Sequence, residues 1–163
     1  MGRFSGIPYQ DRTDAQKAQT QWGKALGLLS RSDWSAAIVR AVTATEISLN
    51  LAIRAEYNAR QDLSFAEVNR HLLIANGFRG KLSLLKDLFD DEGKRFAEQI
   101  GQSISDAANK RNRIVHSGEF CDEQEARDYV ESCRIFVNDL IGRYEPHFLI
   151  TVDAINPDED SGA

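Results

Sequence analysis

The chain has 163 residues, enough for one ordinary domain, with 42% hydrophobic residues, 28% charged residues and three prolines. That balance excludes collagen-like, disulfide-scaffold and intrinsically disordered classes. Twenty-five acids against 20 lysines and arginines give a net charge of −5, which excludes a wholly basic nucleic-acid coat but leaves room for a local basic patch.

In chain order, residues 1–12, with Gly2, Gly6 and Pro8, read as an arm without a helical pattern. Thr13 or Asp14 caps a first helix running to about residue 29, with Trp22, Leu26 and Leu29 inward. The second helix carries Trp34, Ile38, Ala41, Val42, Thr45, Leu49, Ala52 and Ile53 in a stripe about 100° wide, sustained over five turns. Ser32 or Asp33 is its N-cap. Ser64-Phe65-Ala66-Glu67 forms a capping box that opens a third helix ending near Asn76-Gly77.

A short fourth helix is expected over about 81–89, with Leu82, Leu85 and Leu88 on one side, followed by a turn at 90–93. The fifth runs over about 94–116 and presents Phe96, Ile100, Ile104, Ala107, Ile114 and Val115 on one face. Gly118 stands where a helix C-terminal glycine belongs. Asp122 with Glu125 opens a sixth helix through Tyr144, stopped by Pro146. Its inward set is Ala126, Tyr129, Val130, Cys133, Phe136, Val137 and Leu140. The one strand-like run, 148–155, is too isolated to make a sheet. The expected fold is an all-α bundle of about five to six helices with no substantial sheet. Residues 1–145 form a single domain, and 146–163 form a partly disordered tail that carries Asp158, Glu159 and Asp160.

No stretch free of Asp, Glu, Lys and Arg exceeds the eight residues of 71–78. A membrane-spanning helix needs about 20 apolar residues, so the expectation is that no membrane is crossed. The first residues, Met1-Gly2-Arg3-Phe4-Ser5-Gly6, carry no apolar h-region. Cys121 and Cys133 are too few for a disulfide framework and read as reduced thiols, which fits a cytoplasmic protein.

Most chemical templates fail on inspection. Gly80-Lys81 lacks the rest of a phosphate loop, because Ala75 replaces its first glycine and Leu82 its Ser or Thr. Gly77-Phe78-Arg79-Gly80 has the G-x-x-G form of KH domains, but that fold needs a sheet, and a plain loop is the reading. His71 and His147 lack ligand-spaced partners, and His116, Cys121 and Cys133 do not match zinc spacing. No metal and no cofactor are expected.

One segment resists dismissal: Lys110-Arg111-Asn112-Arg113-Ile114-Val115-His116-Ser117-Gly118. On a helical wheel Arg111 falls in the middle of the fifth helix's apolar face, between Ala107 and Ile114/Val115. A guanidinium does not enter an apolar core unpaired, so it must meet a carboxylate, for which Glu46 on the second helix is the first choice, or line a wet cleft. Asn112 and His116, four residues apart, share a different face about 100° or more away. Lys110, Arg111, Arg113 and His116 also fit simple complementation of the helix dipole, at about 0.3–1 kcal/mol each.

Arg-Asn-x-x-x-His near the end of a penultimate long helix, followed by Gly and a final amphipathic helix, resembles the HEPN superfamily. The resemblance spans roughly residues 33–142. It implies a helical bundle that forms a homodimer with two motifs facing one cleft. Many members are metal-independent endoribonucleases of toxin, antiviral or stress systems; others have lost catalysis and bind nucleotides, RNA or partner proteins. Carried onto this chain, the resemblance makes Arg111, Asn112 and His116 the catalytic set, with Lys110 and Arg113 as RNA-binding residues and Glu46 in support. It also implies a possible cognate antitoxin or nucleotidyltransferase partner.

The residue types suit that chemistry. Metal-free RNA cleavage needs the 2′-OH deprotonated, the phosphorane charge stabilised and the leaving oxygen protonated. An imidazole serves for proton transfer near neutrality. A guanidinium binds phosphate oxygens bidentately. Two other functions stand beside the ribonuclease: an inactive module binding RNA, nucleotide or a partner protein, and a structural bundle whose basic helix end only complements a dipole.

Overall fold

Six α-helices, a short 3₁₀ helix at Tyr9–Asp11 within the expected non-helical arm, and no strand are found among the described residues, which are 4, 6–60 and 63–152 of the computed structural model. They are α1 (Asp14–Ser30), α2 (Trp34–Arg60), α3 (Phe65–Ile74), α4 (Gly77–Leu88), α5 (Asp91–Ser117) and α6 (Glu123–Gly142). The all-α expectation holds.

The helix starts are built by their caps. The Thr13 hydroxyl accepts from the Gln16 N–H at 3.2 Å while the Gln16 side chain accepts from the Thr13 N–H at 3.0 Å. Ser64 and Glu67 make the same reciprocal pair at the head of α3. The Asp90 and Asp122 carboxylates cap Gly93 and Glu125 at 2.8 and 2.9 Å. Each satisfies a first-turn N–H that the helix itself leaves without a partner. At α2 the cap is Asp33, which accepts from the Ala36 N–H at 3.4 Å, while Ser32 makes the preceding turn with a φ of 61°.

α2 is the axis of the bundle and touches each of the other five helices. The stripe anticipated for it is buried, apart from half-buried Trp34, but burial also takes in Ala37, Ala44, Ser48 and Leu51 on its flanks. The small residues among these, Ala37, Ala44 and Ser48, let neighbouring helices approach closely. The buried Thr45 and Ser48 hydroxyls are satisfied within α2, each donating at 2.7 Å to the carbonyl three residues back. By length and composition α2 is the one helix among the described residues apolar enough to cross a membrane, and most of that stretch is buried inside the bundle.

The expected inward set of α6 is buried except for half-buried Tyr129, and Phe136 meets Phe78 of α4 with ring centroids 5.6 Å apart. At the end of α5, Gly118 adopts a φ of 64°, which an L side chain tolerates poorly. There the Gly118 and Glu119 N–H groups return to the carbonyls of Ile114 and Arg113.

Three boundaries differ from the sequence reading. α4 begins at Gly77, so Gly77-Phe78-Arg79-Gly80 is its first turn and not a loop. Ala75 and Asn76 alone separate it from α3, and Gly77 makes the turn possible with a φ of 70°. α5 begins at Asp91 because Asp90 is a cap, so 90–93 is a helix start. Finally, residues 148–152 are neither strand nor free tail. The Asn138 side chain of α6 brackets the Ile150 backbone, accepting from its N–H and donating to its carbonyl, both at 2.9 Å. Trp22 of α1 donates its indole N–H to the Thr151 carbonyl at 2.7 Å, and Ile150 is buried. A single amide thus imitates one neighbouring strand. The acidic residues Asp158, Glu159 and Asp160 lie outside the described residues.

Candidate functional site

α5 lies beside α2 and α4, and where the three helices diverge they leave a cleft of about 150 Å³. Its walls come from Val42 and Glu46 on α2, from Asn76, Gly77, Phe78 and Arg79 at the start of α4, and from Ala108, Arg111 and Asn112 on α5. Glu46, Arg111 and Asn112, singled out from sequence, therefore meet in one place.

Arg111 is half-buried, and its Nε is fully buried with no hydrogen-bond partner. Its Nη1 donates to the Asn112 side-chain oxygen at 3.1 Å. No ion pair joins Arg111 to Glu46 among the described residues, so the carboxylate partner expected for the guanidinium is not there. Of the two environments open to Arg111, the structure provides the cleft. Lys81 of α4 feels Glu46 through space: burial lowers the pKa of its ammonium and the Glu46 charge opposes that shift.

Arg79 is the residue that sequence reasoning passed over. It is exposed, lines the same cleft, and donates from Nη2 to the Asn109 side-chain oxygen at 2.7 Å. Its signal was concealed by the reading of 77–80 as loop. Asn76 directly before Gly77 is the cue that would have placed Arg79 in a helix's first turn, since asparagine is a preferred N-cap.

Lys110 occupies a different environment from the one its neighbours suggested. It is 3% exposed, and its three donors are all used: Glu119 at 2.7 Å, Glu125 at 2.9 Å and the Phe120 carbonyl at 2.9 Å. The Glu119 hydrogen bond is the main reason its pKa is raised, and Lys110 in turn is the first cause holding the Glu119 carboxyl below its usual range. The Arg113 Nε shares Glu119 at 2.7 Å. Both cations are thus committed to carboxylates of this chain, which leaves Lys110 no hydrogen to offer a phosphate.

His116 is exposed on the last turn of α5 and is not among the residues lining the cleft. The geometry of the chain does not bring Arg111, Asn112 and His116 to a common point. Next to His116, Val115 is 50% exposed, and Phe120 beyond the helix end is 90% exposed. Cys121 is half-buried and Cys133 buried, both unpaired, and burial pushes the Cys121 thiol up to about 12, so neither is an activated nucleophile. Among the described residues no group of three or more His, Cys, Asp or Glu is placed to hold a metal.

The cleft thus brings together the guanidiniums of Arg79 and Arg111, the amides of Asn76 and Asn112 and the Glu46 carboxylate. No family model, no curated protein and no solved structure matches this chain.

Proposed function

We propose that this chain is a HEPN-like, metal-independent endoribonuclease that works as a homodimer in the cytoplasm. The observation that carries the reading is Arg111: a guanidinium with a buried, unpartnered Nε and no carboxylate, held at a cleft by Asn112. A buried N–H without a partner costs free energy in the unliganded protein, and an entering phosphate oxygen would recover it. In the proposed reaction His116 takes the proton from the 2′-OH or delivers one to the departing 5′-oxygen, and Arg111 neutralises the non-bridging oxygens as negative charge builds there. Because His116 lies off the cleft, a second copy would supply the imagined partner imidazole. A cognate antitoxin or nucleotidyltransferase would act by covering this surface.

The test is incubation of the purified protein with single-stranded RNA in excess EDTA. Products ending in 2′,3′-cyclic phosphate, intact DNA and loss of cleavage in His116→Ala are expected. A strict metal requirement, or full activity in His116→Ala, would overturn the mechanism. The position of His116 outside the cleft favours the second reading, an inactive module that binds RNA, nucleotide or a partner protein without turnover.

A further inference from the structure

Four arginines elsewhere on this surface are paired with carboxylates. Arg54 meets Asp14 at 3.0 Å, Arg113 meets Glu119 at 2.7 Å, Arg127 meets Glu123 at 2.8 Å and Arg134 meets Glu131 at 2.6 Å. Arg79 and Arg111 make no ion pair among the described residues, and they share a cleft. Each is held by the oxygen of a neutral asparagine, Asn109 and Asn112, one turn apart on α5. The amides fix where the guanidiniums stand without cancelling their charge. Two guanidiniums against the single carboxylate of Glu46 share one cleft, and the Arg111 Nε–H is buried and unsatisfied, which favours an entering anion.

We infer that Arg79, which lies outside the Arg-x4-His motif, is a phosphate-binding residue, and that Arg79 and Arg111 together hold the non-bridging oxygens of one RNA phosphodiester in the cleft between α2, α4 and α5. The choice of RNA rests on the ribonuclease reading; the phosphate subsite rests on the geometry. The first turn of α4 adds to it. Its N–H groups have no partners within the helix, and the Asn76 side chain caps none of them. Glu46, across on α2, disfavours an anion beside itself and so confines the phosphate to the side of α4 and α5.

A bland role for Arg79, stapling α4 to α5 through Asn109, would move stability but not the electrostatics of binding. The experiment therefore measures binding of a 2′-O-methyl hexaribonucleotide, which has no free 2′-OH to react, by fluorescence anisotropy over a range of NaCl. Arg79→Ala is expected to weaken binding about tenfold or more, as for loss of a charged hydrogen bond. The slope of log K against log salt should become shallower by about 0.7, the loss of one single-strand phosphate contact. Arg79→Lys should recover the slope and part of the affinity. Arg79→Gln, which keeps a donor for Asn109 and loses the charge, should behave as Arg79→Ala and serves if the alanine variant folds poorly. Wild-type affinity and slope in Arg79→Gln, or no binding by the wild-type protein, would overturn the inference. Cleavage that depends on His116 but binding indifferent to Arg79 sinks this subsite alone. Binding through Arg79 without any cleavage sinks the ribonuclease reading alone.

Discussion

The Lys110 ammonium lies 2.7 Å from Glu119 Oε1 and 2.9 Å from Glu125 Oε2, so one buried cation ties the end of α5 to the turn that follows and to the first turn of α6. Its third hydrogen holds the Phe120 carbonyl at 2.9 Å. The linkage sets the direction in which α6 departs, and with it the packing of α6 against α2.

Lys110→Met should accordingly destabilise the fold by about 2–3 kcal/mol, towards the lower end for a broken buried pair because the two carboxylates regain water. A fall in Tm of roughly 5–10 °C is expected by calorimetry. A change below about 1 °C would mean that the ammonium is not the clasp.

The same pair governs acid stability. Glu119 is held below its ordinary pKa by Lys110 first and Arg113 second. A depressed carboxyl contributes stability that is present above the unfolded value, about 4.3, and is lost as pH falls through the folded value. Lys110, shifted up, contributes stability that is present below about 10.4 and is lost as pH rises through its raised value. The Tm difference between wild type and Lys110→Met should therefore hold steady between those limits and shrink on acidification below about pH 4. A gap that widens in acid would contradict the assignment.

Asn138→Ala removes both hydrogen bonds to Ile150 and should cost about 1–2 kcal/mol. The Ile150 amide, protected in the wild type, should then exchange with solvent far faster than the amides of α6. Unchanged protection would show that Trp22 and apolar contacts alone hold the segment down.

Arg111→Met is expected to separate stability from function. Had Glu46 paired with Arg111, the substitution would have stranded a carboxylate at a cost of several kcal/mol. With no such pair, it removes a buried unsatisfied N–H, and Tm should stay level or rise. Binding of the oligonucleotide should meanwhile be lost. A large drop in Tm would restore a structural role to Arg111.

The helices were readable because their signals are local. The α2 stripe repeats over many turns, and Thr13, Ser64 and Asp122 cap by side chains three residues from their targets. What escaped depends on contacts between segments. A wheel drawn for α5 alone places Lys110 off the apolar face, yet the turn at 118–122 and the start of α6 close over it. Arg79 was hidden because two glycines weaken the helical pattern of 77–80. The extended run at 148–152 looks like half of a sheet because its partner is one asparagine side chain, which no strand pattern reveals. Within the site, the wheel placed Arg111 in the middle of the apolar face of α5, where the structure leaves it half-buried at a cleft, and no periodicity measures whether Glu46 reaches it.

The two asparagines give the cleft a property of another kind. Guanidiniums are the side chains that do not release their proton in a protein, and the amides that grip Arg79 and Arg111 have no charge to change. Counter-ions in solution are a dial that sets how strongly the two guanidiniums draw an anion.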